Sequence, residues 1–501
     1  MTDVNIVSHL VKGALSEAGE GFIDVFNPAS GLISSRVPVA GTGQVEAAIR
    51  AASEALPGWK NTPPAKRINI LFRFVSLLEQ NEKEIIRLIS SEHGKTYEDA
   101  RGELRRGIEN VIYACGAPEL LKGEFSRDAG PGIDSWNDAE PLGVVVGITP
   151  FNFPAMVPLW MYPLAIACGN TFILKPSERT PSASLFIAKL FSDAGLPDGV
   201  LNVIHGNKTT VDLLLNSPAV KAVSFVGSTP AAEAVYQQAA VKGIRAQALG
   251  GAKNHAVVMP DCHLENTVSA LMGAAYGSCG ERCMAISVAV CVGDDIAERL
   301  VDRLASEISS LTIGPWDDSR SEMGPLISQD HRRRVSGLIA SGIEQGASLV
   351  SDGREHPLFS ESGFFIGGSL FDRVTPDMRI YQEEIFGPVL CVVRVSSLDE
   401  ALALINAHEY ANGTCIFTRD GASARAFSTR VEVGMVGINV PLPVPVAYHS
   451  FGGWRRSLFG DLSAYGPDGV KFYTRRKTIT QRWINDTAAE KAQFSFPSQN
   501  D

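Results

Sequence analysis

Cysteine is scarce and irregularly placed, with eight in 501 residues. That spacing excludes a disulfide framework and points to reduced thiols in a cytoplasmic protein, most of them buried as small apolar groups. Basic clusters are also missing. The formal net charge is −10, which argues against nucleic acid or an anionic membrane as the main partner. The opening residues, MTDVNIVSHLVKGALSEAGEG, carry acids and no basic stretch followed by an apolar run. Neither a signal nor a transit peptide is expected. Charge is absent from one long stretch between Glu140 and Lys175, long enough to span a bilayer. Its five prolines (141, 150, 154, 158 and 163) and the central NFP argue instead for strand, loop, short helix and strand in a deep core.

Several catalytic signatures are missing as well. There is no G-x-S-x-G, no H-E-x-x-H and no complete G-x-G-x-x-G after a strand. GKT at 94–96 would need Ile89 to be glycine and a strand before it, so it is not a phosphate loop. GSTPAA at 227–232 has the strand–turn–helix setting but ends in Ala232. Cys262 and His263 are the only cysteine and histidine adjacent in the chain, so no metal site is expected.

What remains is globular: 45% hydrophobic and 20% charged residues, in a chain too long for one core. The first 120 residues read mostly as helix, with apolar three-and-four spacing over 43–56 and 65–92 and a third helix from Glu98 towards Leu121. Residues 123–140 are polar and turn-rich, a projecting hairpin or loop. From 143 short apolar runs (143–149, 171–175, 200–204, 222–227, 256–259) alternate with helical stretches. Two of those stretches open with Thr-Pro, at Thr180 and Thr229, and close near Gly195 and Gly243. This is the pattern of a parallel, doubly wound α/β sheet, whose ligands lie beyond the carboxyl ends of its strands. The alternation resumes after about 285, so a second α/β domain is expected. Residues 472–483 read as an exposed strand and the last 18 as a frayed polar tail.

GSCGERCMA at 277–285 holds Cys279 and Cys283, with Arg282 and a glycine-rich backbone that could favour a thiolate. By spacing alone either thiol could be a nucleophile, and a buried inert thiol is the default.

PFNFP (150–154), LKPSERTP (174–181), FVGST (225–229), GERC (280–283) and EEIFGPV (383–389) stand in the order and at the distances of the aldehyde dehydrogenase superfamily, which the chain resembles over about residues 20–483. RGIENV (106–111), GAKNH (251–255), GERCMA and FYTRRK look like its CoA-acylating methylmalonate-semialdehyde dehydrogenase branch. The resemblance implies an NAD-binding, Rossmann-type domain (1–122 and 142–255), a catalytic α/β domain (256–453) and a small β oligomerisation or bridging element (123–141 and 454–501). It implies that Cys283 is the nucleophile, Cys279 a bystander, and Asn152 the side-chain donor of an oxyanion hole. Lys175 and Glu178 match the adenosine-ribose pair, Ser228 a pyrophosphate contact, Glu384 the nicotinamide-ribose ligand and Phe386 its neighbour. Thr149, Phe151, Arg179 and Gly250 match further cofactor contacts, while Arg106 and Arg282 match carboxylate-binding arginines. Hydrolytic relatives have ELGGK, whose glutamate activates water. This chain has ALGGAK, which puts Ala248 at that position, and alanine cannot act as a base.

The expected activity is NAD- and CoA-dependent oxidation of methylmalonate or malonate semialdehyde to propionyl-CoA or acetyl-CoA with decarboxylation, in a homo-oligomer (dimer or tetramer). The alternatives are a hydrolytic aldehyde dehydrogenase or a non-catalytic protein that keeps the fold. The pathway served (valine, inositol or β-alanine breakdown) stays open.

Overall fold

Residues 5–483 are described in the structure, a computed structural model. The chain does not open on helix. Five short strands come first: Asn5–Ile6, His9–Val11, Ala14–Ser16, Phe22–Asn27 and Leu32–Pro38. The last two fold on each other through a turn in which Asn27 Oδ1 accepts the Ala29 N–H and Gly31 takes φ +70°. Helices follow at Thr42–Lys60, Pro64–Gln80, Glu82–His93 and Tyr97–Ala114. The single helix expected over 65–92 is broken at Asn81, whose side-chain amide turns back to donate to the Leu77 carbonyl. The next helix stops at Ala114, with only a further turn at Ala117–Leu120.

Strand–helix alternation then builds the first large sheet. Arg245–Leu249, Val220–Val226, Val144–Ile148, Thr171–Lys175 and Leu201–Val203 lie side by side and parallel. Leu458–Phe459 closes one edge, and His9–Val11 with Ala14–Ser16 the other, all antiparallel. Apolar clusters cover both faces, and the uncharged stretch supplies two of the strands with the wholly buried helix Met156–Ala167 between them. Among the described residues no helix is long and apolar enough to cross a membrane. The helix Tyr97–Ala114 lies close on Met156–Ala167 because Gly107 has no Cβ: one there would fall 2.7 Å from Leu159 Cδ1.

Seven strands form the second sheet, in the order Ser348–Ser351, Ser369–Asp372, Val389–Val395, Ile286–Val292, Asn254–Val258, Gly413–Phe417 and Met435–Ile438. All but the first run parallel. A third, small antiparallel sheet contains the expected hairpin, Phe125–Gly130 and Ile133–Pro141, joined by Thr474–Arg482. Residues 454–473, expected to lie in that bridging element, divide differently. Trp454–Arg455 pairs with Tyr410–Ala411, Leu458–Phe459 enters the first sheet, and Gly466–Tyr473 is a helix. The polar tail beyond Trp483 lies outside the described residues.

The two large sheets meet end to end. The segment after Val144–Ile148 of the first is bonded to the segment before Ile286–Val292 of the second, Asn152 to the Glu281 carbonyl, and most of the candidate residues lie in the segments between the sheets.

Candidate active site

After the helix Leu264–Tyr276 the chain makes one tight turn, Gly277–Gly280. Ser278, Cys279 and Gly280 sit at φ +55°, +53° and +70°, a conformation that costs energy for the first two. A Cβ on Gly280 would collide with the Gly387 carbonyl. This kinked turn ties the thiol loop to the Glu384–Gly387 segment and delivers Cys283 just ahead of the strand Ile286–Val292. The Cys283 carbonyl is held by two side-chain amides, Asn254 Nδ2 at 2.9 Å and Asn412 Nδ2 at 3.0 Å. Cys283 is half-buried and Cys279 fully buried. Burial, then the charge of Glu384, pushes the Cys283 thiol up to about 12, against the pull of backbone amides and Arg282. Burial drives Cys279 well above the ordinary thiol range. Both are thiols at rest, and of the two only Cys283 is open to a substrate.

Asn152 follows the strand Val144–Ile148 and is buried. Its side-chain amide donates at 2.9 Å to the carbonyl of Glu281, two residues before Cys283. The Glu281 carboxyl is enclosed, with Oε1 accepting the Ile327 N–H and Oε2 3.7 Å from His93 Nε2. Burial holds Glu281 well above the usual carboxylate range, His93 well below the usual imidazole range and His331 at about 4. Both histidines are therefore neutral near pH 7, and His331 Nε2–H donates to the Phe386 carbonyl at 2.6 Å. Phe386 itself is at φ +58°.

The predicted cofactor residues line up at successive strand ends of the first sheet: Thr149 and Phe151, then Lys175, Glu178 and Arg179, then Ser228, then Gly250. Lys175 Nζ and Glu178 Oε2 are 2.9 Å apart. Burial would raise the Glu178 carboxyl, but Lys175 outweighs it and holds the group below its ordinary value. Arg179 reaches Ser328 Oγ at 2.8 Å and lies over the Phe151 ring, which meets Phe386 edge-on at 5.9 Å. Glu384 accepts the Ala252 N–H, and burial raises its carboxyl. Two features suit this row to a dinucleotide. Ser228 stands at the N-terminus of Thr229–Val241 with its hydroxyl not used as a cap, and Thr149 Oγ1 is buried without a partner.

Both arginines are already engaged. Arg282 lies flat on Gly277, donates to Asp99 Oδ1 at 2.7 Å and reaches the Gly273 carbonyl at 3.3 Å. Arg106 donates to Glu109 and to the carbonyls of Val444 and Pro445. Tyr465 OH donates to the same Pro445 carbonyl and packs with Trp160 and Phe451 into an aromatic wall. Asp99, Glu103 and Arg106 are spaced four and three apart on one helix, so a single stripe touches the thiol loop, the Asn152 turn and the 444–445 strap.

Ala248, the position matched to the water-activating glutamate, turns its side chain away from the thiol. Ala248 packs into the cluster with Ile148, Ala232 and Val235 on the far face of the first sheet. Leu249 belongs to the cluster against which Cys283 packs. Adjacent strand residues point to opposite faces, and the extra residue in ALGGAK hid the register. The side chain offered towards the thiol is still apolar.

Sequence reasoning missed Lys95, Glu103, Asn254, Asn412, Glu281 and Asp99. Lys95 was in view as part of GKT, but its setting at a helix end gave it no role. Asn254 and Glu281 stood inside GAKNH and GERC without a role of their own, and Asp99, Glu103 and Asn412 carry no local signature; the partners of all five lie 8 to 183 residues away.

The aldehyde dehydrogenase family pattern matches residues 15–479. A malonate-semialdehyde dehydrogenase of Pseudomonas aeruginosa is 66% identical over 491 residues, 98% of this chain and 99% of that one. A methylmalonate-semialdehyde dehydrogenase from Oceanimonas doudoroffii superposes with a TM-score of 0.95 at 61% identity, covering 96% and 99% of the two chains. A Sinorhizobium meliloti 1021 protein solved in complex with NAD gives a TM-score of 0.96 at 52% identity, covering 97% and 100%. With its two α/β sheets meeting at a cysteine-bearing cleft and these likenesses along nearly its whole length, the chain belongs to the aldehyde dehydrogenase family.

Proposed function

We propose that the chain oxidises malonate or methylmalonate semialdehyde with NAD, passes the acyl group to CoA and releases the substrate carboxylate as CO2 or bicarbonate, giving acetyl-CoA or propionyl-CoA. The observation that supports this most is the apolar strand end at Ala248 and Leu249, neither of which carries a carboxylate of the kind a hydrolytic enzyme uses to activate water. A thioester on Cys283 then persists until a better nucleophile arrives, and the CoA thiolate fits that need.

In this reading the Cys283 thiol gives its proton to water and Sγ adds to the aldehyde carbon. The resulting alkoxide is met by the Asn152 amide and the Cys283 backbone N–H, and loss of one such donor costs roughly 3–4 kcal/mol of barrier. NAD, when bound, accepts the hydride from the former aldehyde carbon, leaving a thioester on the sulfur. Lys175 and Glu178 hold the adenosine ribose, Ser228 the pyrophosphate and Glu384 the nicotinamide ribose, with Phe386 beside the ring. Thr149, Phe151, Arg179 and Gly250 complete that wall. Arg106 and Arg282 take the substrate carboxylate, a pairing that guanidinium geometry suits. Once the thioester forms, the carboxylate lies β to its carbonyl and leaves as CO2, the bond electrons passing into a thioester enolate that takes a proton from water. CoA then attacks and frees Cys283.

The first sheet and its helices form the cofactor domain and the second sheet the catalytic domain. The hairpin with Thr474–Arg482, an edge strand of its sheet, mediates a cytoplasmic homodimer or homotetramer. A second reading has one supporting observation: Glu384 is the carboxylate whose charge reaches Cys283. If Glu384 served as a base, the product would be free acid. Measuring NADH and acyl-CoA together, with and without CoA, decides: turnover that depends on CoA supports acylation, and rapid acid release without it supports hydrolysis.

A further inference from the structure

We propose that the buried Lys95–Glu103 ion pair is a positioning element of the oxyanion hole, acting on acylation through Asn152; this rests on the reading of Asn152 given above. Lys95 follows Gly94, which ends the helix Glu82–His93 at φ +91°, and Glu103 lies in the second turn of Tyr97–Ala114. Both side chains are 0% exposed. Apart from the 2.8 Å bond between them, their polar atoms go to a single turn, residues 152–156. Lys95 Nζ donates to the Asn152 carbonyl at 2.6 Å and stands 4.3 Å above the Phe153 ring. Glu103 Oε1 accepts the N–H of Ala155 at 2.8 Å and of Met156 at 3.1 Å. Ser184 Oγ donates to the Pro154 carbonyl, so the turn is gripped at every residue.

Capping the helix Met156–Ala167 does not by itself call for this arrangement. A serine or asparagine at 155 would satisfy the same amides without burying two charges, which is costly in a protein interior. What the pair adds is a cation bonded to the peptide oxygen of Asn152. Above that peptide, one N–H of the Asn152 amide is committed to the Glu281 carbonyl, which leaves the second for an alkoxide on Cys283. Rotation of the peptide would carry that N–H away from the alkoxide, and displacements near 1 Å are enough to damage catalysis.

The test is a mutant cycle on the full chain with E103Q, K95M/E103Q, N152A and each combined with N152A. Glutamine keeps an oxygen for the two amides, and the double change leaves no unpaired charge. The readouts are the NADH burst rate with propanal and NAD but no CoA, the alkylation rate of Cys283 by iodoacetamide, and NAD affinity. The expected result is a burst about 10²-fold slower in K95M/E103Q, with alkylation and NAD affinity within about twofold of the parent. N152A should slow the burst by roughly 10²–10³-fold in the parent yet by no more than about tenfold in K95M/E103Q, because the two changes remove one effect. Multiplicative losses, or a burst that falls in step with alkylation and NAD affinity, overturn the proposal in favour of a purely structural pair. Should K95M/E103Q not fold, the same cycle with E103Q decides. A normal burst in N152A alone would sink the Asn152 reading as well, whereas a slow N152A with multiplicative losses sinks only the role of the pair.

Discussion

Placing a glutamate at Leu249 should give the enzyme a CoA-independent hydrolysis that the same change at Ala248 does not. The two positions are neighbours on Arg245–Leu249, paired to Phe225 and Val226 on one side and to Phe459 and Leu458 on the other. Their side chains enter different clusters: Leu249, 3% exposed, the one that includes Cys283, and Ala248, 0% exposed, the one beyond the sheet. Leu249→Glu forfeits about 1.5–3 kcal/mol of leucine burial. Its carboxyl, in apolar surroundings, titrates above the ordinary value near 4.3. The base is the ionised form, so acid release should climb as pH rises through that elevated pKa. A well-placed base is worth about 10²–10⁴ in rate, and a first placement should give on the order of 10–100-fold more acid release. Ala248→Glu overpacks a filled face for about 1–3 kcal/mol and buries an unpaired carboxyl, with no gain in hydrolysis. The assay is acid formation from propanal and NAD with CoA omitted, beside the NADH burst as a control for acylation. Faster acid release from A248E than from L249E would refute the register and the argument built on it.

Cys283→Ala should abolish NADH formation with the fold intact, while Cys279→Ala keeps the burst; the opposite pattern reassigns the nucleophile. Arg106→Met and Arg282→Met should each damage turnover of malonate semialdehyde far more than of propanal, and equal losses on both substrates count against a carboxylate clamp. R282M should also lower Tm, because it strands a mostly buried Asp99, a change that typically costs about 3–5 kcal/mol, whereas R106M, at a more exposed site, should not. Iodoacetamide labelling of Cys283 without NAD should rise about tenfold per pH unit from pH 7 to 9, because burial and Glu384 hold the thiol near 12; a plateau below pH 8 would contradict this. Burial lowers His9, His331 and His408 to about 4 and His205 to about 3. The unfolded chain binds those protons below about pH 6.5 and the folded one does not until near 4, so stability falls with pH at up to about 1.4 kcal/mol per unit for each histidine. Urea unfolding between pH 7 and 4.5 measures this, and a flat profile would argue against neutral buried rings.

The alternation from residue 143 onward was legible because parallel strands buried on both faces read as short apolar runs, and Thr-Pro starts with glycine stops mark the helices between them. The start of the chain was misread as helical because its strands are only two to seven residues long and partly exposed, too short for a period of two to stand out. The break at Asn81 was invisible for a similar reason: the apolar stripe runs on across it, and only the side chain folding back on Leu77 stops the helix.

By itself the sequence singled out the residues proposed to carry chemistry. A lone cysteine after Gly-Glu-Arg, an asparagine in a Pro-Phe-Asn-Phe-Pro turn and a glutamate before Ile-Phe-Gly-Pro are local patterns, and local patterns survive in one dimension. Tertiary structure decided how those residues are held. It separated Cys283 from Cys279 by burial, turned Leu249 rather than Ala248 towards the thiol by strand register, and drew Lys95, from the link between two helices, and Glu103, from the second of them, under Asn152 across roughly fifty residues of chain. Burial, register and long-range ion pairs are properties of facing surfaces, and which surfaces face each other is settled only when the sheets and helices pack.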